Sequence, residues 1–144
     1  MSDTLHLDIV TPDGRAFAGE VASVTLPGAE GDLGILPQHA PLLAALRPGE
    51  LIYVPAAQNG LVAREVYLAV GTGFAEVTAT GVSVLTDMAV APNDVNAEAV
   101  QAELKKAEEA LRSTTLVGEE LEATEASLAR STAQLHLLRS HGRK

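Results

Sequence analysis

The sequence contains no cysteine, which excludes disulfide bonds, cysteine-ligated zinc and catalysis by a thiol. Aromatic residues make up only 3% of the 144 residues, and tryptophan is absent. A surface that stacks on sugars or nucleic-acid bases would need more aromatic rings than this. The hydrophobic core must therefore consist mainly of valine, leucine, isoleucine and alanine.

Basic residues are also scarce. The chain has ten lysines and arginines and nineteen acidic residues, which gives a net charge of −9. A nucleic-acid-binding protein needs a basic face, and so does a protein that adheres to an anionic membrane. No apolar run approaches the ~18 residues that span a bilayer, and the N-terminus does not resemble a signal peptide. We therefore expect no nucleic-acid binding, and membrane contact only through partner proteins.

Proline is absent after Pro92, and ten of the twelve glycines also lie before that position. The remainder of the chain is rich in alanine, glutamate and leucine, which favour helix, whereas proline and glycine mark turns. The composition thus predicts two domains, a β domain over residues 1–92 and a helical domain over residues 93–144.

Alternation of apolar and polar residues predicts many short strands in the β domain. Every second residue is apolar in the segments 5–9, 22–26, 66–70 and 82–84, and Ala22 falls on the buried parity. The turn signals between the runs are Pro12-Asp13-Gly14, Pro48-Gly49, Asn59-Gly60, Gly71-Thr72-Gly73 and Thr80-Gly81. This spacing predicts an antiparallel sandwich or barrel.

Two amphipathic helices are predicted after the β domain, which makes the fold class α+β. The first covers residues 96–112 with Asn96 as its N-cap, and the second covers residues 119–139. Residues 113–118 break the pattern, so we expect an antiparallel helical hairpin. A single long helix through Gly118 and a longer loop are the alternatives.

The second helix has acidic residues at its start and basic residues at its end. One interpretation is that these charges complement the helix dipole, and another is that the basic end docks on an acidic partner. Both can hold together. The basic residues concerned are Arg130, Arg139, Arg143 and Lys144.

The sequence offers little chemistry for an enzyme. The four histidines are His6, His39, His136 and His141. None has metal-ligand spacing beside a carboxylate, and the last two are expected to be solvated and to lie off a common helical face. Catalysis by His39 with Asp32 or Glu30 would lack a nucleophile and a cofactor site. We therefore predict no catalytic residue, no metal and no cofactor.

The segment over residues 28–34 has a more specific pattern than a simple connecting loop requires. Gly28, Gly31 and Gly34 recur at every third position, as in some phosphate-binding loops, but the loop carries Glu30 and Asp32 and no base of its own. We interpret it as a sharp turn, with positive φ at glycine, that presents carboxylates to a protein partner.

This segment also resembles the epsilon subunits of F-type ATP synthases. The similar motifs are GDLGILPQHAPL over residues 31–42, the following Pro48-Gly49, and GTGFAEV over residues 71–77. The order of β domain and helical hairpin resembles that family as well. The resemblance implies a ten-stranded β-sandwich followed by a two-helix hairpin.

The resemblance further implies a non-catalytic rotor subunit in the central stalk of a proton- or sodium-translocating ATP synthase, peripheral on the cytoplasmic side of the plasma (inner) membrane. Its sandwich would bind the gamma subunit and the ring of c subunits. The matching positions are Gly28, Glu30, Gly31, Asp32 and His39.

In the family the hairpin also extends toward the alpha and beta subunits and inhibits ATP hydrolysis, which assigns Arg130, Arg139, Arg143 and Lys144 to that contact. Some members bind ATP on the folded hairpin, but Asn96 and Ala99 depart from their motif, so tight ATP binding is not expected here. The alternative function is a generic interaction module, or a chaperone-like one, with a β body and a helical arm.

Overall fold

The computed structural model describes residues 3–57, 61, 63–113 and 115–141. Within them the strands are β1 (Leu5–Thr11), β2 (Gly14–Gly28), β3 (Gly31–Ile35), β4 (Leu42–Leu46), β5 (Gly49–Pro55), β6 (Val66–Val70), β7 (Gly73–Val77), β8 (Gly81–Thr86) and β9 (Ala89–Val90). A 3-10 turn (Pro92–Asp94) leads into helices α1 (Ala97–Ser113) and α2 (Gly118–His141). The predicted Asn59-Gly60 turn lies outside the described residues.

The strands form one sheet that folds over itself into a sandwich, in the order β1-β8-β7-β4-β2-β5-β6-β9. The long strand β2 connects the two layers, because its first half pairs with β1 and its second half pairs with β3 and β5. The predicted sandwich is confirmed, although β1 and β8 pair in parallel. The described residues hold nine strands and an isolated bridge at Leu61, where ten strands were expected.

The core lies between the two layers and is aliphatic, as the scarcity of aromatic residues predicted. Leu5, Leu7 and Ile9 of β1 are fully buried, which confirms the alternation expected for this strand. Val82 and Val84 of β8 are buried in the same way.

The expected parity of β2 is wrong at one position. Val21, and not Ala22, lies in the core. The pairing of β2 with β5 shifts between Val21 and Ser23, which is the mark of a β-bulge. An extra residue in one strand reverses the faces on either side of it, so a strict period of two misplaces Ala22.

The two helices are separate, and the alternative of one long helix is wrong. Asn96 caps α1 as predicted, since its Oδ1 accepts a hydrogen bond from the Ala99 amide at 3.1 Å. Helix α2 begins at Gly118, whose φ of +60° suits glycine. Helix α2 returns along α1 in the antiparallel sense.

The hairpin is folded against the sandwich through α2, which packs on β5, β6 and the 3-10 turn. The side chains of α2 that become buried are Ser131, Ala133, Leu135 and Leu137. Ala69 on β6 is fully buried beneath them. Across the described ranges, neither helix combines the length and the apolar content that a membrane crossing requires.

Candidate partner-binding surfaces

The acidic turn between β2 and β3 is built on two glycines that face each other across the hairpin. Gly28 pairs with Gly31, and only Ala29 and Glu30 lie between them. Gly31 has a φ of +138°, which confirms the expected positive φ. A Cβ on Gly28 would lie 2.5 Å from the Gly31 carbonyl oxygen, so the hairpin closes only because Gly28 has no side chain.

The turn is fixed to the neighbouring strand β4. The Ala29 amide donates to the Ala45 carbonyl at 2.8 Å, and the guanidinium of Arg47 lies 2.7 Å from the carboxylate of Asp32. The sequence of the loop itself contains no basic residue. Its partner Arg47 follows strand β4 and comes near only in the folded structure. Glu30 is exposed and forms no ion pair within the described ranges. The turn is therefore a rigid tip whose unpaired charge is that of Glu30.

The structure does not bring His39 together with the acidic turn. Asp32 lies at the hairpin end of β3, whereas His39 follows the opposite end, where the Gln38 amide bonds to the Ala79 carbonyl at 2.9 Å. The His39 Nδ1 donates to the Ala40 carbonyl at 2.7 Å. Strand β3 rises about 3.3 Å per residue and separates the two groups, so Asp32 and His39 do not form a pair.

An apolar row crosses the outer face of four strands, and sequence reasoning missed it. Ala45 of β4 pairs with Phe74 of β7, Phe74 pairs with Leu85 of β8, and Leu85 pairs with Val10 of β1. The exposed fractions are 57% for Phe74 and 59% for Leu85. We call these four residues the apolar ladder. The sequence could have revealed it, because Phe74 and Leu85 are large apolar residues at positions of β7 and β8 that alternate with the buried ones.

Of the basic residues predicted to bind a partner, Arg130 lies at the junction between hairpin and sandwich. Its Nη1 is 3.5 Å from Oδ2 of Asp87, which also accepts a hydrogen bond from Thr72. Arg139 is exposed near the end of α2. Arg143 and Lys144 lie outside the described residues.

His141 is an exposed residue as expected, but its side chain is only 27% exposed and packs against the sandwich. Its ring stacks on Tyr67 of β6, with centroids 3.6 Å apart and planes inclined by 12°, and its Nε2 lies 3.3 Å from Oε1 of Glu50. His136 points to the same carboxylate oxygen at 4.0 Å but is 68% exposed. Burial, with the carboxylates of Glu65 and Glu50, raises the pKa of Tyr67.

Polar pairs join β1 to β2 on the same outward face of β1 that carries Val10. His6 is exposed as predicted, and its Nδ1 lies 2.9 Å from Glu20. Hydrogen bonds from His6 and then from Thr4 lower the pKa of Glu20. Hydrogen bonding to Asp8 raises the pKa of Arg15. These pairs give all four charged groups a partner across the two strands.

Comparison with known proteins gives consistent matches. The family described as ATP synthase, Delta/Epsilon chain, beta-sandwich domain matches residues 4–92. The ATP synthase epsilon chain of Maricaulis maris (strain MCS10) is 41% identical over 109 residues, 76% of this chain and 77% of the relative. That of Halorhodospira halophila (strain DSM 244 / SL1) is 39% identical over 139 residues, covering 95% and 94%.

A solved structure has the same fold. A chain of the Euglena gracilis mitochondrial ATP synthase, from a structure of its OSCP, F1 and c-ring, superposes with a TM-score of 0.74. The identity is 22%, and the alignment covers 94% of this chain and 81% of the other. At this identity the likeness concerns the fold.

Proposed function

Since this chain belongs to the family of ATP synthase epsilon chains, we propose that it joins the gamma subunit to the c ring in the central stalk and carries a mobile inhibitory hairpin. The epsilon chain is an accessory subunit of the membrane-associated ATP synthase and not its catalytic unit. We place the chain on the cytoplasmic side of the plasma (inner) membrane.

The observation that carries this proposal is the apolar ladder. A sheet face that exposes Phe74 and Leu85 side by side leaves apolar area in water that a partner would cover. Aromatic side chains at the centre of such a patch supply much of the binding energy at interfaces. We assign the ladder to the gamma subunit. The loop containing His39 leads into β4, where Leu43 is 72% exposed, so we assign His39 to the same contact.

The acidic turn lies at the other end of β4 and suits a different partner. It is rigid, it projects Glu30, and its shape depends on Gly28 and Gly31. We assign this turn to the polar loops of the c ring. Asp32 contributes mainly through its ion pair with Arg47, which holds the turn in place.

The hairpin is the regulatory element in this proposal. In the folded position Arg130 is held by Asp87, so extension of the hairpin would free it, together with Arg139, Arg143 and Lys144, for the alpha and beta subunits. Such charge pairing would accelerate docking more than it would add affinity. We also propose that the hairpin binds no ATP tightly, because Asn96 is occupied as a helix cap and Ala99 carries no charge.

The test is capture of partners from membranes, read by mass spectrometry. We expect the wild-type chain to recover gamma and c subunits. A charge at the centre of the ladder, Phe74→Asp, should reduce recovery of gamma by roughly thirtyfold, the equivalent of about 2 kcal/mol for a central aromatic contact. Leu61→Asp is the matched control, because Leu61 is 74% exposed but lies off the ladder.

Equal recovery of gamma by both variants would remove the ladder from the interface. Recovery of unfolded proteins in place of gamma and c subunits would instead favour the generic or chaperone-like module.

A further inference from the structure

We propose that Glu76 on β7 pairs with a lysine or arginine of the gamma subunit, and that this charge pair sets the orientation of gamma on the apolar ladder. The pair rests on the proposed function, because it presupposes that gamma covers the ladder. It adds the chemistry of the partner's surface, which would be apolar opposite Phe74 and would carry a positive charge beside that apolar area.

Glu76 lies next to the ladder, on the same outer face of the sandwich. It pairs with Leu43 of β4 on one side and with Ser83 of β8 on the other. Residues opposite each other in such pairs have Cβ atoms about 4.5–5.5 Å apart. Residues two positions apart on a strand point to the same face, so Phe74 is also an immediate neighbour of Glu76.

The side chains around Glu76 are apolar or uncharged. Leu43 and Phe74 are exposed large apolar residues, and they flank the carboxylate on two sides. Ser83, on the third side, is exposed and carries no charge. A partner that covers both Leu43 and Phe74 therefore also excludes water from Glu76.

Exclusion of water from this carboxylate determines what the partner must supply. A carboxylate that loses its hydration without a compensating charge is costly. Protein interfaces keep charged residues out of their centres, or arrange an opposite charge on the partner to face them. Because Glu76 adjoins the aromatic residue at the centre of the ladder, the second arrangement is the one that fits.

The other charges of this face already have partners within the chain. The guanidinium of Arg15 lies 2.8 Å from Asp8, and Nδ1 of His6 lies 2.9 Å from Glu20. Glu76 makes no hydrogen bond or ion pair with any residue in the described ranges. An approaching partner thus meets Glu76 as a negative charge beside an apolar row.

The end of α2 lies against the opposite layer of the sandwich. Helix α2 packs on β5 and β6, and its last residue, His141, stacks on Tyr67 of β6. Glu76 points away from the core in the other direction, from the layer that contains β7 and β8. The cation that compensates Glu76 is therefore expected from a partner and not from the helical hairpin.

The charge of the whole chain favours the same kind of partner. A net charge of −9 attracts basic surfaces at long range. A charge pair at a defined position then fixes the register of two surfaces and excludes wrong partners, more than it adds affinity. Glu76 would thus determine how gamma is oriented, while Phe74 supplies most of the apolar contact.

The test measures binding of the gamma subunit in solution to the immobilised full chain, at low and at high salt. Glu76→Gln keeps the shape of the side chain and removes its charge. We expect this variant to raise the dissociation rate of gamma roughly tenfold and to make binding less sensitive to salt. Glu76→Lys should weaken binding further, because two positive charges would then meet.

Two variants separate this contact from general effects of charge. Glu108→Gln removes the same charge from an exposed position on α1 and should leave binding of gamma unchanged. The double variant Glu76→Gln with Ser83→Glu returns a carboxylate to the neighbouring position across the strands and should recover part of the lost affinity. Circular dichroism and urea unfolding check that each variant folds as the wild-type chain does.

Equal binding of gamma by Glu76→Gln and the wild-type chain would overturn the inference, and so would an equal loss of binding in Glu108→Gln. If Phe74→Asp lost gamma while Glu76→Gln retained it, the proposed function would stand without this charge pair. Failure of the wild-type chain to bind gamma would overturn both. A dimer of the chain that Glu76→Lys dissociates, with gamma bound equally by all variants, would assign this face to a second copy.

Discussion

At the scale of single residues, the acidic turn depends on an absent side chain. In Gly28→Ala the new Cβ would meet the Gly31 carbonyl oxygen at 2.5 Å, and neither backbone can move without opening the hairpin. We expect a loss of about 1–3 kcal/mol in the free energy of unfolding, measured by urea titration. Capture of the c ring should weaken in the same variant, since Glu30 would be displaced.

Gly34→Ala is the control for this substitution. Gly34 lies on β3 of the same hairpin, but a Cβ there would meet nothing within 4 Å. Its stability should change by no more than about 0.5 kcal/mol. If both variants lost equal stability, the effect would come from the general loss of glycine and not from the contact with Gly31.

Residues whose partners are close in the sequence were predictable, and those with distant partners were not. Asn96 caps an amide three residues away, and the positive φ of Gly31 follows from a two-residue turn. Arg47 meets Asp32 fifteen residues away, and His141 meets Glu50, which lies in the β domain, on β5. Such contacts depend on how the elements pack, which alternation and composition do not encode.

At the scale of elements, helix α2 is unusual because it has two packed sides. It contacts α1 along one side and strands β5 and β6 along the other. A single apolar stripe predicted the pairing of α2 with α1 but not its docking on the sheet. Ser131 is fully buried there, and its Oγ has no hydrogen-bond partner among the described residues.

Ser131→Ala should therefore stabilise the docked hairpin. A buried hydroxyl without a partner loses its hydration and gains no hydrogen bond, so its removal should favour docking by about 1 kcal/mol. The measurement is the docked fraction from energy transfer between two dyes, attached at Ala18→Cys on β2 and Ala102→Cys on α1, which are exposed positions in a chain without native cysteine.

Alanine is also the better helix former, so a control must account for that gain. Ser140→Ala changes an exposed serine on the same helix and should produce only the propensity effect. If Ser131→Ala favoured docking no more than Ser140→Ala, the buried hydroxyl would not be an obstacle to docking.

At the scale of the whole molecule, the order of a β domain and then a helical hairpin could be predicted, because all seven prolines and ten of the twelve glycines lie at or before Pro92. The closure of the sheet through β2 and the parallel pair β1–β8 could not, since both join strands far apart in the sequence. The apolar ladder has the same origin, because its four residues come from four strands.

The division of the molecule leads to the last prediction. Every residue of the hydrophobic core cluster belongs to the strands, from Leu5 on β1 to Val84 on β8, with Ala89 of β9 packed against it. None comes from α1 or α2. The chain cut after Pro92 should therefore fold into a stable sandwich, and its unfolding should remain cooperative.

The shortened chain should retain the apolar ladder and the acidic turn, so we expect it to bind gamma and the c ring and to support coupled ATP synthesis. It lacks the hairpin, which we proposed to contact the alpha and beta subunits and to inhibit them. ATP hydrolysis by the assembled enzyme should therefore rise. Hydrolysis and synthesis by membranes that carry the full or the shortened chain measure both effects. Unchanged hydrolysis would mean that the hairpin does not inhibit the enzyme. Failure of synthesis would mean that the sandwich alone cannot connect the gamma subunit to the c ring.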